Sequence, residues 1–253
     1  MIAAASSALV SLGETILLGL KALRTVPRRP LEIRQVLRQT YLMGNRAFGL
    51  LILMAGFSGL VMSYQFGIGL ERFGALPYMG TLTALALTRE MIPVLTALVL
   101  GGRIVAGIAA ELGSMVATEQ IDAVRALGAD PLKKLVMPRL LAATAVLPMF
   151  TVIGDVIGCL TAMVVAQMEF NVPARAFMTS VRDTLTVPDF LSGIIKAALF
   201  GFLGALIACH AGLSSKGGTA GVGRATTSAV VQSSLAVVVA DFVMTRLTAG
   251  WLQ

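Results

Sequence analysis

Seven acidic, basic or histidine residues stand inside stretches apolar enough to cross a bilayer: Arg89, Glu90, Asp155, Lys196, His210, Asp241 and Arg246. A charge at a membrane-helix centre costs roughly 2.5–3.5 kcal/mol on insertion scales, so it persists where it is paired or faces water. Arg89 and Glu90 are neighbours and project about 100° apart on a helix, so each must find a partner beyond the other. Lys196 and Asp241 lie on different stretches and are the natural pair of opposite sign. Asp155 must meet a basic group or a wet crevice. Such a set either locks a helix bundle or offers a polar patch to a headgroup while apolar walls hold the tails. One ion pair can do both. Leu60, Met62 and Tyr64, with Phe66, near the far end of the first stretch, are candidate walls of that path; Met and aromatic residues there also serve as packing or interfacial anchors.

A second kind of chemistry is mechanical. Residues 118–138 read TEQIDAVRALGADPLKKLVMP, a polar run in a greasy chain. Thr118 is a favourable N-cap, Glu119 and Asp122 put negative charge in the first turn, and Arg125 puts positive charge near the end. Gly128 can take the left-handed C′ conformation and Pro131 forbids continuation. The spacing predicts a short helix over about 119–127, with Ile121, Val124 and Leu127 as its apolar edge. Gln120, Asp122 and Arg125 are left to face something polar. A short rod capped at both ends suits an interfacial connector, and equally a peg that takes a push from a cytoplasmic motor.

Other chemistries find little support. One His, no HExxH, no GxSxG and no acidic cluster leave metal-dependent or nucleophilic hydrolysis without a residue set, and no metal or cofactor is expected. His210 reads as a neutral group near the cytoplasmic interface. Cys159 and Cys209 lie in apolar runs without CxxC spacing and read as packing residues. The glycine-rich stretch GGTAGVGRATT (217–227) does not satisfy GxxxxGK[ST]. It reads as a flexible turn, and any use of ATP must come from another subunit.

The elements that position these residues follow from composition. Of 253 residues, 57% are hydrophobic and 13% charged, against about a quarter charged in soluble domains, and the mean hydropathy is +0.86. The fold class is all-α integral membrane. Five apolar stretches, 47–70, 78–102, 140–168, 190–213 and 225–251, each exceed or approach the roughly 20 residues a span needs. Lys and Arg in the connections divide 14 to 3 between alternate sides. That bias places the N-terminus and the 118–131 helix in the cytoplasm and the C-terminus outside. The net charge of +7 is explained by these loops rather than by nucleic acid. Residues 8–23 are too short and interrupted to span, so 1–46 is read as an interfacial helix and a basic cytoplasmic segment ahead of a five-span domain, 47–253. The outside loop, 169–188, has room for a short helix after Pro173.

The run GGRIVAGIAAELGSMVATEQIDAVRALGADPLKKLVMPRLLAATAVLPMFTVIGDVIG resembles the signature region of the MlaE (YrbE) family, permease subunits of MCE-type ABC lipid transporters. LTREMIPVLTAL, LSGIIKAALFG and VGRATTSAVVQSSLAVVVADFVMT agree with it. The likeness runs from about residue 40 to the C-terminus, and its most specific part is E-x-I-D-A-x4-G-x2-P from Glu119 to Pro131. The first 35 residues match only in character. The resemblance implies a homodimer in a bacterial inner membrane. It also implies a cytoplasmic P-loop ATPase dimer, a periplasmic MCE-domain ring, a STAS-domain partner and phospholipid as cargo. Glu119, Gln120, Asp122, Arg125 and Asp130 would form the ATPase contact, and Arg89, Glu90 and Lys196 would line the central cavity. A chloroplast-envelope relative fits the same motif, and a proton- or ion-coupled carrier using Glu90, Asp155 and Asp241 remains the alternative.

Overall fold

Backbone groups in hydrocarbon have no water to bond, so an apolar chain of this kind satisfies them within helices. The computed structural model describes residues 13–21 and 32–249, and no strand occurs among them. The helices are α1 (13–21), α2 (Ile33–Glu71), α3 (Met79–Ala86), α4 (Ile92–Leu95), α5 (Gly102–Ala117), α6 (Gln120–Ala126), α7 (Met137–Phe170), α8 (Ala174–Thr184), α9 (Val187–Leu213) and α10 (Gly218–Ala249). Five segments are long and apolar enough to cross a membrane: Ala47–Glu71, Leu76–Ala117, Leu132–Phe170, Val187–Leu213 and Gly218–Thr248. The expected N-terminal helix is present over 13–21; its outer residues, 8–12 and 22–23, and the expected end of the fifth span at 250–251 lie outside the described residues.

Several boundaries differ from the expectation. α2 starts at Ile33, so Arg34 and Arg38 ride on a helix rather than a loop. The glycine-rich stretch is mostly helical: the turn closes at Gly217, φ +90°, and Gly218, φ +63°, after which α10 runs on without a break. α8 does follow Pro173, its N-cap residue.

The second span is built from short pieces. Wide π-type turns occupy Leu87–Met91 and Thr96–Gly101 around α4. The first ends just before Pro93, and the Ile92 N–H reaches back five residues to the Leu87 carbonyl. The third segment begins in the same manner. Leu132–Val136 is a π turn, Met137 bonds back to the Leu132 carbonyl, and Pro138 follows. Proline lacks an N–H and its ring crowds the carbonyl four residues earlier, and a wider turn ahead of it relieves that conflict.

The chain divides into two compact units. One holds the described residues up to Gly44, Gly101–Ala145 and Phe200–Val237; the other holds Asn45–Leu100, Val146–Leu199 and the described residues from Val238. The chain passes from the first unit to the second within α2, between Gly44 and Asn45, and once within each of the other four long segments. In the second unit the core gathers Ala55, Met79, Leu87, Ile92, Phe170 and Phe177. α2 and α7 are tied by small polar side chains, the Ser63 hydroxyl donating to the Ala162 carbonyl at 2.7 Å and the Thr161 hydroxyl to the Gly56 carbonyl at 3.0 Å. Such bonds hold membrane helices where the hydrophobic effect between them is weak. α8 is seated on α3 through Thr81, which bonds Ser180 and Thr184. In the first unit, α1 meets α9 where Gly19 abuts Leu206, and His210 Nε2 lies 3.7 Å from a Glu14 carboxylate oxygen.

Candidate functional site

The second unit assembles most of the intramembrane charges around Lys196. This side chain is 1% exposed and must spend its donors on protein. Its Nζ donates to Glu90 Oε2 at 2.8 Å, to the Thr245 hydroxyl at 2.8 Å and to the Arg89 carbonyl at 3.1 Å. Asp241 Oδ1 lies 3.1 Å from the same nitrogen, an ion pair whose geometry makes no hydrogen bond. The Thr245 hydroxyl closes the ring by reaching Glu90 Oε1 at 3.1 Å. The expected Lys196–Asp241 pair therefore forms, with Glu90 added to it.

Two local features put Lys196 there. Arg89's carbonyl would find its α-helical donor at residue 93, and Pro93 has none to give; the lysine ammonium supplies a donor instead. Gly193, one turn before Lys196, lies so close to the Thr88 carbonyl that a Cβ would collide with it. That contact lets α9 approach the backbone of the π turn closely enough for the lysine to reach.

The Arg89 side chain goes elsewhere. Its guanidinium pairs with Asp189, with Nε donating to Oδ1 at 2.7 Å. Asp189 is 1% exposed. Its other oxygen accepts from the Thr186 N–H at 2.9 Å and the Thr186 hydroxyl at 2.7 Å. This is one half of a capping box at the start of α9, the N3 carboxylate reaching back to the N-cap N–H, while the Asp189 N–H bonds to the Thr186 carbonyl at 3.1 Å. Sequence reasoning missed Asp189 and Thr245. Asp189 was legible in T-V-P-D, a Thr three residues ahead of an acid with a proline between; Thr245 carries no signal of its own, four residues after Asp241. The cluster is not sealed, since Glu90 is 40% and Arg89 35% exposed.

Other candidates fall outside this cluster. Asp155 is 3% exposed, has no ion-pair partner among the described residues, and its Oδ1 accepts no hydrogen bond. Met62 packs against the second unit's core, and Tyr64 sets its ring against Phe170, centroids 6.0 Å apart. Leu60 and Phe66 are half-buried on the same helix. None of these has a contact with the Lys196 cluster among the hydrogen bonds and ion pairs described. No group of three metal-ligating side chains occurs among the described residues.

The polar connector is helical over Gln120–Ala126, one residue shorter at each end than expected. Thr118 does not cap it; its hydroxyl bonds back to the Ser114 carbonyl at 2.9 Å and closes α5. Glu119 takes the N-cap position with φ +57°, a left-handed conformation rare for a residue with a Cβ. Gly128, φ +75°, ends the helix as expected. Its N–H bonds to the Arg125 carbonyl at 2.9 Å, and the Ala129 N–H to the Val124 carbonyl at 3.2 Å, the Schellman arrangement. Asp130 then accepts from the Leu132 N–H at 2.9 Å, which caps the next turn. Ile121 is buried, whereas Leu127, expected on the apolar edge, is 86% exposed because the Schellman turn carries it off the helix face. Asp122 and Arg125 form an exposed pair at 3.1 Å.

Five apolar spans, a buried charge cluster with a partly open rim, and a short capped rod between the second and third spans define a multi-pass membrane protein of the transporter class. Comparison with known proteins makes this specific. The family model described as Permease MlaE matches residues 36–247, and the chain belongs to that family. A probable ABC transporter permease protein of Rickettsia typhi is 39% identical over 237 residues, 94% of this chain and 92% of the relative. One from a Synechocystis strain is 36% identical over 214 residues, 85% and 81% of the two chains. The chloroplastic protein TRIGALACTOSYLDIACYLGLYCEROL 1 of Arabidopsis thaliana is 36% identical over 211 residues, 83% of this chain and 60% of that one.

Proposed function

We propose that the chain is the membrane-spanning subunit of an ABC transporter that moves phospholipid between a bacterial inner membrane and a periplasmic MCE-domain protein. The observation that carries the reading is the Lys196 cluster: a buried ammonium holds Glu90 and Asp241 in an apolar span, while Glu90 and Arg89 keep an accessible edge. A polar rim of both signs amid apolar walls suits a zwitterionic or anionic headgroup with its tails in the bilayer phase. Arg89, Glu90 and Lys196 would meet the headgroup, and Leu60, Met62 and Tyr64 would stand along the tails.

The energy would come from a separate P-loop ATPase dimer that grips α6. The names of the Rickettsia and Synechocystis relatives support that partnership. Glu119, Gln120, Asp122, Arg125 and Asp130 lie on or beside the rod and are exposed, as a docking peg requires. The 14-to-3 bias of basic residues supports a cytoplasmic position for it. α10 shows large apolar side chains at Val231, Leu235, Val239 and Phe242, which supports a second copy of the chain against it; a STAS-domain protein would join on the ATPase side.

The test is reconstitution. The chain is purified from its native membrane after mild cross-linking and the captured subunits are identified by mass spectrometry. Transfer of a fluorescent phospholipid to an acceptor MCE domain is then followed with and without ATP. A P-loop ATPase in the complex and ATP-dependent transfer are expected. Transfer by the chain alone, driven by a proton or ion gradient, would overturn the reading in favour of a secondary carrier.

A further inference from the structure

The first unit contains a polar cleft that the central cluster does not use, with a volume of about 560 Å³. That is within the range of small-ligand sites, roughly 300–1,000 Å³, which are mostly apolar; this one is polar. α2 lines it with Gln35, Arg38 and Gln39, spaced three and four residues apart so that all share one face. α5 adds Glu111 and Ser114, again three apart, and Gln120 opens α6 at its edge. The π turn and α7 supply Lys134 and Arg139.

The charges in the cleft do not cancel. Glu111, its only acid, is already paired with Arg139, at 2.7 Å. Arg139 is itself buried and held by the Leu135 carbonyl at 2.6 Å. Arg38 and Lys134 remain, with no carboxylate in ion-pair reach among the described residues. The cleft therefore offers two uncompensated cations, backed by neutral amides and a hydroxyl. That is the chemistry of a phosphate-bearing anion.

The same stretch of α2 says which source of phosphate fits. Ile33, Leu37 and Tyr41, four residues apart, are 64–68% exposed and form an apolar stripe on the helix that carries Arg38. An anion with acyl chains satisfies both faces, its phosphate in the cleft and its tails along the stripe. We infer that the cleft lined by Arg38, Lys134 and Arg139 is a binding site for the phosphate headgroup of an anionic membrane lipid, a resident lipid beside the rod rather than cargo at the Lys196 cluster.

The experiment uses the purified full-length chain in neutral detergent. It is titrated with phosphatidylglycerol, with phosphatidylcholine and with inorganic phosphate, and bound lipid is counted by native mass spectrometry. Phosphatidylglycerol should bind in preference to phosphatidylcholine and resist millimolar inorganic phosphate. The R38Q/K134Q double variant, whose side chains are exposed and whose fold is checked by circular dichroism, should bind it about 30-fold more weakly, roughly fivefold per basic residue. K133Q/K216Q, two basic residues outside the cleft, should bind as wild type. Unchanged binding in R38Q/K134Q, or an equal loss in K133Q/K216Q, overturns the site. Displacement by inorganic phosphate, or no preference over phosphatidylcholine, overturns the anionic lipid as its occupant.

Discussion

Replacing Lys196 with methionine keeps the length of the side chain and removes its charge and donors. Four groups lose a partner at once: Glu90, Asp241, the Thr245 hydroxyl and the Arg89 carbonyl. Breaking a buried ion pair by removing one member costs about 3–5 kcal/mol. Glu90 is 40% and Asp241 22% exposed, so water recovers part of that loss and the lower end, about 3 kcal/mol, is expected. At roughly 2–4 °C per kcal/mol for a chain of this size, the melting temperature should fall by about 6–12 °C. The two free cysteines, Cys159 half-buried and Cys209 buried, provide the assay, because a thiol-reactive dye labels them as the detergent-solubilised chain opens. The triple variant K196M/E90Q/D241N should regain part of the loss, since it removes the two carboxylate charges that K196M leaves uncompensated and Glu90 and Asp241 are exposed enough for water to serve the amides. A melting temperature for K196M within a degree of wild type, or a triple variant less stable than K196M alone, would refute the view that the ammonium anchors this cluster.

Other expectations follow from single contacts. Gly193→Leu should separate α9 from the Thr88 carbonyl, cost about 1–3 kcal/mol as an overpacked site, and weaken the Lys196 cluster; loss of lipid transfer with normal membrane insertion checks it. Exchanging the charges of Asp122 and Arg125 (D122R/R125D) keeps their mutual pair, worth only about 0.2–0.5 kcal/mol, and reverses what a partner meets. Melting should be unchanged while ATPase association, measured by co-purification, falls. Gly128→Val places a β-branched residue at φ +75° at a cost of about 1–2 kcal/mol; faster amide exchange confined to residues 120–129 is the expected signature.

Much of this architecture was legible because hydrophobicity and capping are local. Five apolar stretches became five segments of membrane-crossing length, Gly128 ended the rod, and the opposite charges of Lys196 and Asp241 on separate spans found each other. The misreadings have local causes too. Thr118 looks like an N-cap by residue type, yet α5 continues to Ala117 and claims its hydroxyl, so Glu119 turns the corner in a conformation that glutamate seldom adopts. Leu127 has helical spacing with Ile121 and Val124 but sits on the Schellman turn. Arg139 reads as one more loop cation, and becomes buried because Glu111, nearly thirty residues earlier, is brought to it. The link between Pro93 and Lys196 is tertiary, and no window of sequence contains both.

The hydrogen bond from Lys196 to the Arg89 carbonyl makes the lysine a repair to the main chain as well as a counter-ion. The two positions should therefore be inherited together. A relative with an ordinary residue at 93 regains its helical donor, and there the lysine answers only to the acids at 90 and 241 and is free to go where they go too. A relative that keeps the proline needs some cation or hydroxyl reaching across from the fourth span. A survey of the family that found prolines at 93 paired at random with apolar residues at 196 would show that the backbone gap is filled by other means.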